Sequence, residues 1–390
     1  MRLLKVQAEN LRPGMFVAEL DRPWLDTPFA LQGFVVQNAE EVDYIGRYVD
    51  YVYIDADYAG SNLFLPKRPQ QEETLKDRLS IKAEFEQAKT SFLSASESLD
   101  KVFNALNNGV QTDIRIVRES VQPLIDGVFN NKEAMAVLVR LKASSDYRYQ
   151  HGISMAVWAA ILGRHIGLPL DELEKLVVGC AMCDVGMTRL PDEIFKQIGG
   201  LSDYQRQMVE LHTHLGMQMV DDNGNADLEI LSMIRSHHER MDGSGYPDGL
   251  KGNDIPLFAR IAGLVDAYDA MITPRPYAPG VSSYDAIQEL IQSKGVLFQD
   301  ALVEQFVQAI GLFPTGSLVE LNTGEVGIVV KQNDIRRLKP EVVIVLDKFK
   351  RKLDALRLID LSSDDIGNIS WIVQGLRPGS YDVNSEEYFI

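Results

Sequence analysis

Residues 236–256 read SHHERMDGSGYPDGLKGNDIP. The adjacent pair His237-His238 opens the stretch, and Glu239, Asp242, Asp248 and Asp254 follow among Gly243, Gly245, Gly249, Gly252, Pro247 and Pro256. So much glycine and proline leaves no apolar period of either helical or strand type, so the stretch reads as an irregular, tightly turned loop. The pattern is helical on both sides, DLEILSMIR before the loop and LFARIAGLVDAYDAM after it. The histidine pair therefore stands where a helix gives way to a stiff turn, and loops carried on rigid scaffolds often bear function.

Working outward, all six histidines fall between His151 and His238: His151, His165, His212, His214, His237 and His238. An isolated histidine is more often a satisfied or solvated residue than a ligand, but a cluster in one helical region with an adjacent doublet suits metal binding. Three carboxylates could join it, Asp184, Asp266 and Asp269. The last two are three apart in GLVDAYDAM and share one face of an otherwise apolar helix. Such a helix does not bury carboxylates without partners, and a metal, an arginine or backbone donors would supply them.

Beyond this region the chain divides by pattern. Residues 1–64 alternate in short runs such as FVAEL and DYVYIDAD, which predicts a small α+β module with one helix near 40–48. Residues 65–109 comprise a proline-marked linker and then a helix. In it Phe85, Ala88, Phe92, Ala95, Leu99, Val102 and Leu106 step by heptads. That seam either packs on its own domain or pairs two chains in a homodimer coiled coil. Residues 110–314 are helical throughout, and after Pro314 a hairpin turning on Asn322-Thr323-Gly324 leads a short β appendage, 315–365. Residues 366–390 read as a polar, loosely held tail. The fold class expected is mainly α, with a small domain before the helical one and a β appendage after it.

A formal charge of −17 argues against binding polymeric nucleic acid, which needs basic stripes. No apolar run approaches the length of a membrane span, and the N-terminus has no signal-peptide core, so the expected location is the cytoplasm. The two cysteines, Cys180 and Cys183, form a C-x-x-C without a second ligand pair for structural zinc. They also fall late in the helix predicted from about Asp171, away from the N-terminal dipole that activates a redox thiol.

The 236–256 stretch resembles the signature of the HD-GYP family, bacterial hydrolases of cyclic di-GMP. The likeness runs through His237, His238, Glu239, Asp242, Gly243, Gly245, Tyr246, Pro247, Gly249, Leu250, Gly252, Ile255 and Pro256. It extends through LPDEIF, LHTHLG and VDAYDAMITPRPY. The first module, with LRPGMFV and YIDAD, is similar to an uncharacterised one often found ahead of such domains. The resemblance implies an all-helical HD domain holding two divalent ions, iron or manganese. Its ligands would be His151, Asp184, His212, His237, His238 and Asp266, with Asp184 bridging the ions and taking the catalytic position. It also implies an arginine on the ligand phosphate, matched by Arg275. The loop comprising Glu239, Asp242, Gly243, Gly245, Tyr246 and Pro247 would meet partner proteins, including cyclic di-GMP synthases.

The dyad is altered. The family reads L-H-D-I-G-K where this chain reads MCDVGM, which puts Cys183 at a histidine ligand position and Met187 at that of a lysine near the substrate phosphate. Ala278 stands where a basic residue is frequent, and Tyr147 where some members have the glutamate that serves a third metal. Thiolate can ligate iron or zinc, so Cys183 stays in the expected metal set. Losing one positive donor typically slows such chemistry by about 10²–10³-fold. The expected function is metal-dependent hydrolysis of cyclic di-GMP or a related cyclic dinucleotide, impaired by Cys183 and Met187. The alternative is a catalytically silent cyclic-dinucleotide sensor or docking scaffold. His165 and His214 carry no expected role.

Overall fold

The computed structural model describes residues 3–21, 34–36, 42, 45–55, 75–110, 113–141, 147–195, 200–221, 227–274, 280–333, 338–362, 370–383 and 388. The chain separates into two compact units, the first made mainly of residues 1–76 and the second of most of the remainder.

In the first unit β1 (Leu3–Gln7), β2 (Phe16–Leu20), β3 (Phe34–Val35) and β4 (Tyr51–Asp55) form an antiparallel sheet in the order β1-β4-β2-β3. Strand alternation is clear in β4, where Val52 and Ile54 are buried and Tyr51 and Tyr53 face outward. Val17, Val36, Ile45 and Val49 complete this small core. Of the helix expected near 40–48, Val42 and Ile45 are helical, and Gly46 N–H bonds the Val42 carbonyl at 3.0 Å. Residues 40, 41, 43 and 44 of that expected helix lie outside the described residues.

The second unit opens with α1 (Leu75–Asn107) and α2 (Ile114–Leu141). All seven seam residues of α1, from Phe85 to Leu106, are buried in the same core as α2 and the helices that follow. The heptad pattern therefore packs on its own chain, and the expected division that set α1 apart as a linker helix is corrected. A seam of this kind marks a face that needs covering without saying which helix covers it. Within α2, Asn131 leaves helical geometry and its Oδ1 restarts the helix by accepting Ala134 N–H at 2.8 Å.

Next come α3 (Tyr147–His165), α4 (Leu170–Met182), a 3₁₀ turn (Val185–Arg189) and the short α5 (Asp192–Phe195). They are followed by α6 (Asp203–Glu210), α7 (His212–Val220), α8 (Leu228–Ser236) and α9 (Leu257–Ile272). The set closes with α10 (Ser283–Ser293) and α11 (Asp300–Ile310). Helix α3 is apolar almost all round, with Met155, Ala156, Val157, Trp158, Ala159, Ala160 and Leu162 inaccessible to solvent, as befits a central helix. It packs against α2, α4, α9 and α11, and its alanines permit close approach.

The C-terminal part is a sheet of β5 (Leu318–Leu321), β6 (Val326–Lys331), β7 (Glu341–Leu346), β8 (Lys352–Asp360) and β9 (Ile372–Leu376), in the order β8-β7-β6-β5-β9. The β5–β6 hairpin turns at Gly324, whose φ of 80° suits glycine, as the sequence predicts. The loose tail expected at 366–390 is corrected: β9 lies there and pairs antiparallel with β5, Leu318 opposite Leu376. β9 is half-exposed, so its sequence lacks the apolar alternation that announces a buried strand. Among the described residues no helix is long and apolar enough to cross a membrane.

Candidate metal centre

Five elements converge on one point. His151 comes from the second turn of α3, Asp184 from the junction after α4, His212 from the start of α7, His237 and His238 from just beyond the end of α8, and Asp266 from the middle of α9. Close backbone approach makes this possible. A Cβ on Gly186 would lie 2.0 Å from the His212 carbonyl, and one on Gly263 would lie 2.3 Å from the His237 carbonyl. Helices bearing larger residues there could not bring their ligands together.

Three of the histidines are buried: His151, His212 and His237 are at most 2% exposed. His212 Nδ1 lies 2.6 Å from the Val209 carbonyl, and His237 Nδ1 lies 3.0 Å from that of Ile234. A carbonyl only accepts, so each Nδ1 carries the hydrogen and each Nε2 presents a lone pair. Those two Nε2 atoms face one another at 3.4 Å. Asp184 Oδ1 lies 3.3 Å from the first and 3.5 Å from the second, and it is buried without a hydrogen-bond partner. Three buried acceptor atoms pointing at one another repel unless a cation sits between them, so the residues present fit a metal ion. Asp184, His212, His237 and His238 can each offer an atom within 4.8 Å of the others.

The second oxygen of Asp184 faces the other way, 3.7 Å from His151 Nε2. That nitrogen is also 2.9 Å from Asp266 Oδ1, and Asp266 Oδ2 is 3.5 Å from His238 Nδ1. The two aspartates thus connect the His212–His237 side of the cluster to the His151 side. Burial opposes charge on Asp184, yet the positive charge of the neighbouring His151 helps to hold its carboxyl below the ordinary range. Burial opposes charge on Asp266 as well, and the hydrogen bond and positive charge of His151 hold it low. Burial pushes His212 down and His238 further down, which keeps both neutral and able to ligate. Burial also opposes charge on His151, but hydrogen bonds to Asp266 and Asp269 raise it to about 10.

Cys183, expected among the ligands, is not gathered with them. Its Sγ faces the Met233 carbonyl at 3.9 Å inside the apolar core. Burial raises the thiol well above its ordinary value, with Cys180 and Asp184 adding to the effect, so it stays protonated. A helix end rotates side chains through successive directions, and position 183 lands against α8. Arg275 and Ala278 lie outside the described residues. His214 is exposed and bonds Gln218 at 3.0 Å, away from the cluster.

The 236–256 loop is built around Glu239. This residue is 5% exposed and accepts the N–H groups of Asp248 at 2.7 Å and Leu250 at 2.9 Å. Gly245 is required, because a Cβ there would come within 2.4 Å of the His238 carbonyl. Tyr246 stacks on His238 with centroids 4.7 Å apart and planes at 29°. Gly243 takes a φ of 83°, and Asp242 caps the turn by accepting Ser244 N–H at 2.9 Å. Pro247, after a cis bond, faces solvent.

Two residues that the expected site omitted also belong to this surrounding. Asp269 receives His151 Nδ1 at 2.7 Å, and Trp158 Nε1 donates to Asp269 at 3.0 Å. The VDAYDAM spacing signalled Asp269, whereas nothing in the apolar run around Trp158 distinguished its ring from ordinary core.

The HD domain family matches residues 129–302. A domain of unknown function (DUF3391) matches residues 3–117, and a KOW domain associated with HD domains matches residues 318–375. A cyclic di-GMP phosphodiesterase of Pseudomonas aeruginosa is 28% identical over 372 residues, covering 92% of this chain and 89% of that protein. The cyclic di-GMP phosphodiesterase response regulator RpfG of Xanthomonas campestris pv. campestris is 32% identical over 193 residues, 46% of this chain and 51% of its own length. A solved HDG"Y"P protein from Bdellovibrio bacteriovorus aligns at TM-score 0.49 and 15% identity, over 78% of this chain and 98% of that one.

Proposed function

The chain is an HD-domain protein of the HD-GYP family with the uncharacterised module ahead of its helical domain, and from that membership we propose that it is a metal-dependent phosphodiesterase that opens a cyclic dinucleotide, with cyclic di-GMP as the first candidate. The observation that carries this reading is the buried, unpartnered Asp184 Oδ1 facing two imidazole lone pairs. Two divalent ions, iron or manganese, are the cofactors we infer, on a ligand set of His151, Asp184, His212, His237, His238 and Asp266. Bound there, they would supply Lewis acidity toward the phosphodiester and activation of the attacking water.

The residues do the rest. Asp184, in the catalytic position, directs one oxygen to each side of the cluster and is suited to bridging. Backbone carbonyls fix the ring tautomers of His212 and His237, so neither ligand must reorganise when it binds. Exclusion of water raises the worth of every charge interaction inside. Met187 carries no positive charge at the position where the family has a lysine, and turnover should be about 10²–10³-fold below that of a lysine-bearing site. Arg275 is the residue we propose for the ligand phosphate, where a planar bidentate donor suits. The rigid, exposed tip around Asp242 and Pro247 is the face we propose for contact with cyclic di-GMP synthases.

The test is anaerobic purification, measurement of bound metal, and incubation with cyclic di-GMP. Linear pGpG or GMP from the loaded protein, abolished in Asp184→Asn, is the expected result. Metal-loaded protein that binds cyclic di-GMP and releases no product would overturn the enzymatic reading in favour of a sensor.

A further inference from the structure

We propose that Asp269, itself fixed by Trp158, is a positioning residue that orients His151 toward the metal; this rests on the metal-centre reading above. Asp269 lies one helical turn beyond Asp266 on the same face of α9 and is 1% exposed. Its Oδ2 accepts the Nδ1–H of His151 at 2.7 Å and a more distant bond from the Thr273 hydroxyl at 3.4 Å. Its Oδ1 accepts the indole N–H of Trp158 at 3.0 Å. A carboxylate held by donors on both oxygens has one orientation, and those oxygens are occupied by N–H and O–H groups rather than turned to the cluster. Asp269 is therefore placed to act through His151 and not as a ligand.

The consequence for His151 is geometric. With the hydrogen fixed on Nδ1, the ring can turn only Nε2 inward, and that atom lies 2.9 Å from Asp266 Oδ1 and 3.7 Å from Asp184 Oδ2. A cation at this point would replace the proton that otherwise joins His151 to Asp266. Carboxylate pairing of this kind also raises the donor strength of the ring. Trp158 is suited to hold Asp269 because its N–H is a donor only and its ring is immobile. The indole is inaccessible to solvent and meets Tyr268 edge-on at 5.3 Å and 84°. Arg140 in turn bonds the Tyr268 hydroxyl at 2.7 Å. The support thus extends from α2 through α3 and α9 to the ligand.

The experiment titrates Mn²⁺ against a chromophoric chelator in full-length wild type, Asp269→Asn, Trp158→Phe, His151→Ala and the double variant His151→Ala with Asp269→Asn. Melting curves without metal establish folding, and Trp158→Phe, which keeps the aromatic packing, provides a second route should Asp269→Asn not fold. The expected result is that Asp269→Asn weakens Mn²⁺ binding by about 10–100-fold. Trp158→Phe should weaken it less, and Asp269→Asn should add nothing in the His151→Ala background. Unchanged affinity in Asp269→Asn, or an equal loss with His151 already absent, overturns the positioning role while leaving the metal centre standing. Wild type that takes up no Mn²⁺, Fe²⁺ or Zn²⁺ overturns both.

Discussion

At the scale of single residues, His151 is the group whose surroundings make the most specific demand. Its two ring nitrogens meet Asp269 and Asp266, and its pKa rises from an ordinary 6.5 to about 10. The sign follows from linkage. A group whose pKa is raised by folding adds stability that is complete below its unfolded value and is lost as pH climbs through the folded one. His212 and His238 are shifted the other way and are neutral in both states above pH 7, so they do not contribute there. Metal-stripped protein should therefore lose stability toward urea between pH 7 and 8, below the range in which unfolded thiols ionise, by at most about 1.4 kcal/mol per pH unit, the worth of one proton. His151→Gln should flatten that slope, and a wild-type profile that is flat or rising would contradict the assignment. Cys183 shows the limit of reading residues by position. Its place beside Asp184 was legible, but its direction depends on how α4 ends against Met233.

At the scale of elements, α1 shows a pattern finding its partner. Its seven seam residues were readable as a stripe, and the structure covers that stripe with the helical core of the same chain. Leu99 is inaccessible at the centre of the stripe, so Leu99→Ala should destabilise the second unit by about 2–5 kcal/mol, measured by chemical denaturation of the metal-free protein. A loss below about 1 kcal/mol would mean that the seam is loosely covered. Helix α9 shows the converse. Its paired carboxylates announced partners from the sequence alone, because an apolar helix cannot bury them otherwise. Which carboxylate would face the cluster and which would face Trp158 was not legible, since both lie on one helical face and only the packing of α3 separates their roles.

At the scale of the molecule, the C-terminal sheet was the least visible part. The β5–β6 hairpin and β7 are readable from alternation and from the turn at Gly324, whereas the half-exposed β9 carries no such alternation. It closes the β5 edge, and Val383 beyond it is 2% exposed. Removing residues 370–390 should leave β5 as an open edge, the kind of edge along which chains associate. Gel filtration is expected to show larger species together with a lower melting temperature. A truncated chain that elutes and melts as the full-length protein does would show that β9 is dispensable.

What the sequence determined by itself was the helical class of the central domain, its family, and the histidines and aspartates from which a metal centre could be made. Those features are local, since they reside in spacing, turn residues and the cost of burying a charge. Tertiary structure alone decided that Asp184 directs one oxygen to each side of the cluster, that Cys183 turns to a carbonyl, and that Asp269 stands behind His151. Each of those outcomes is an angle between helices remote in sequence, which spacing along the chain does not encode.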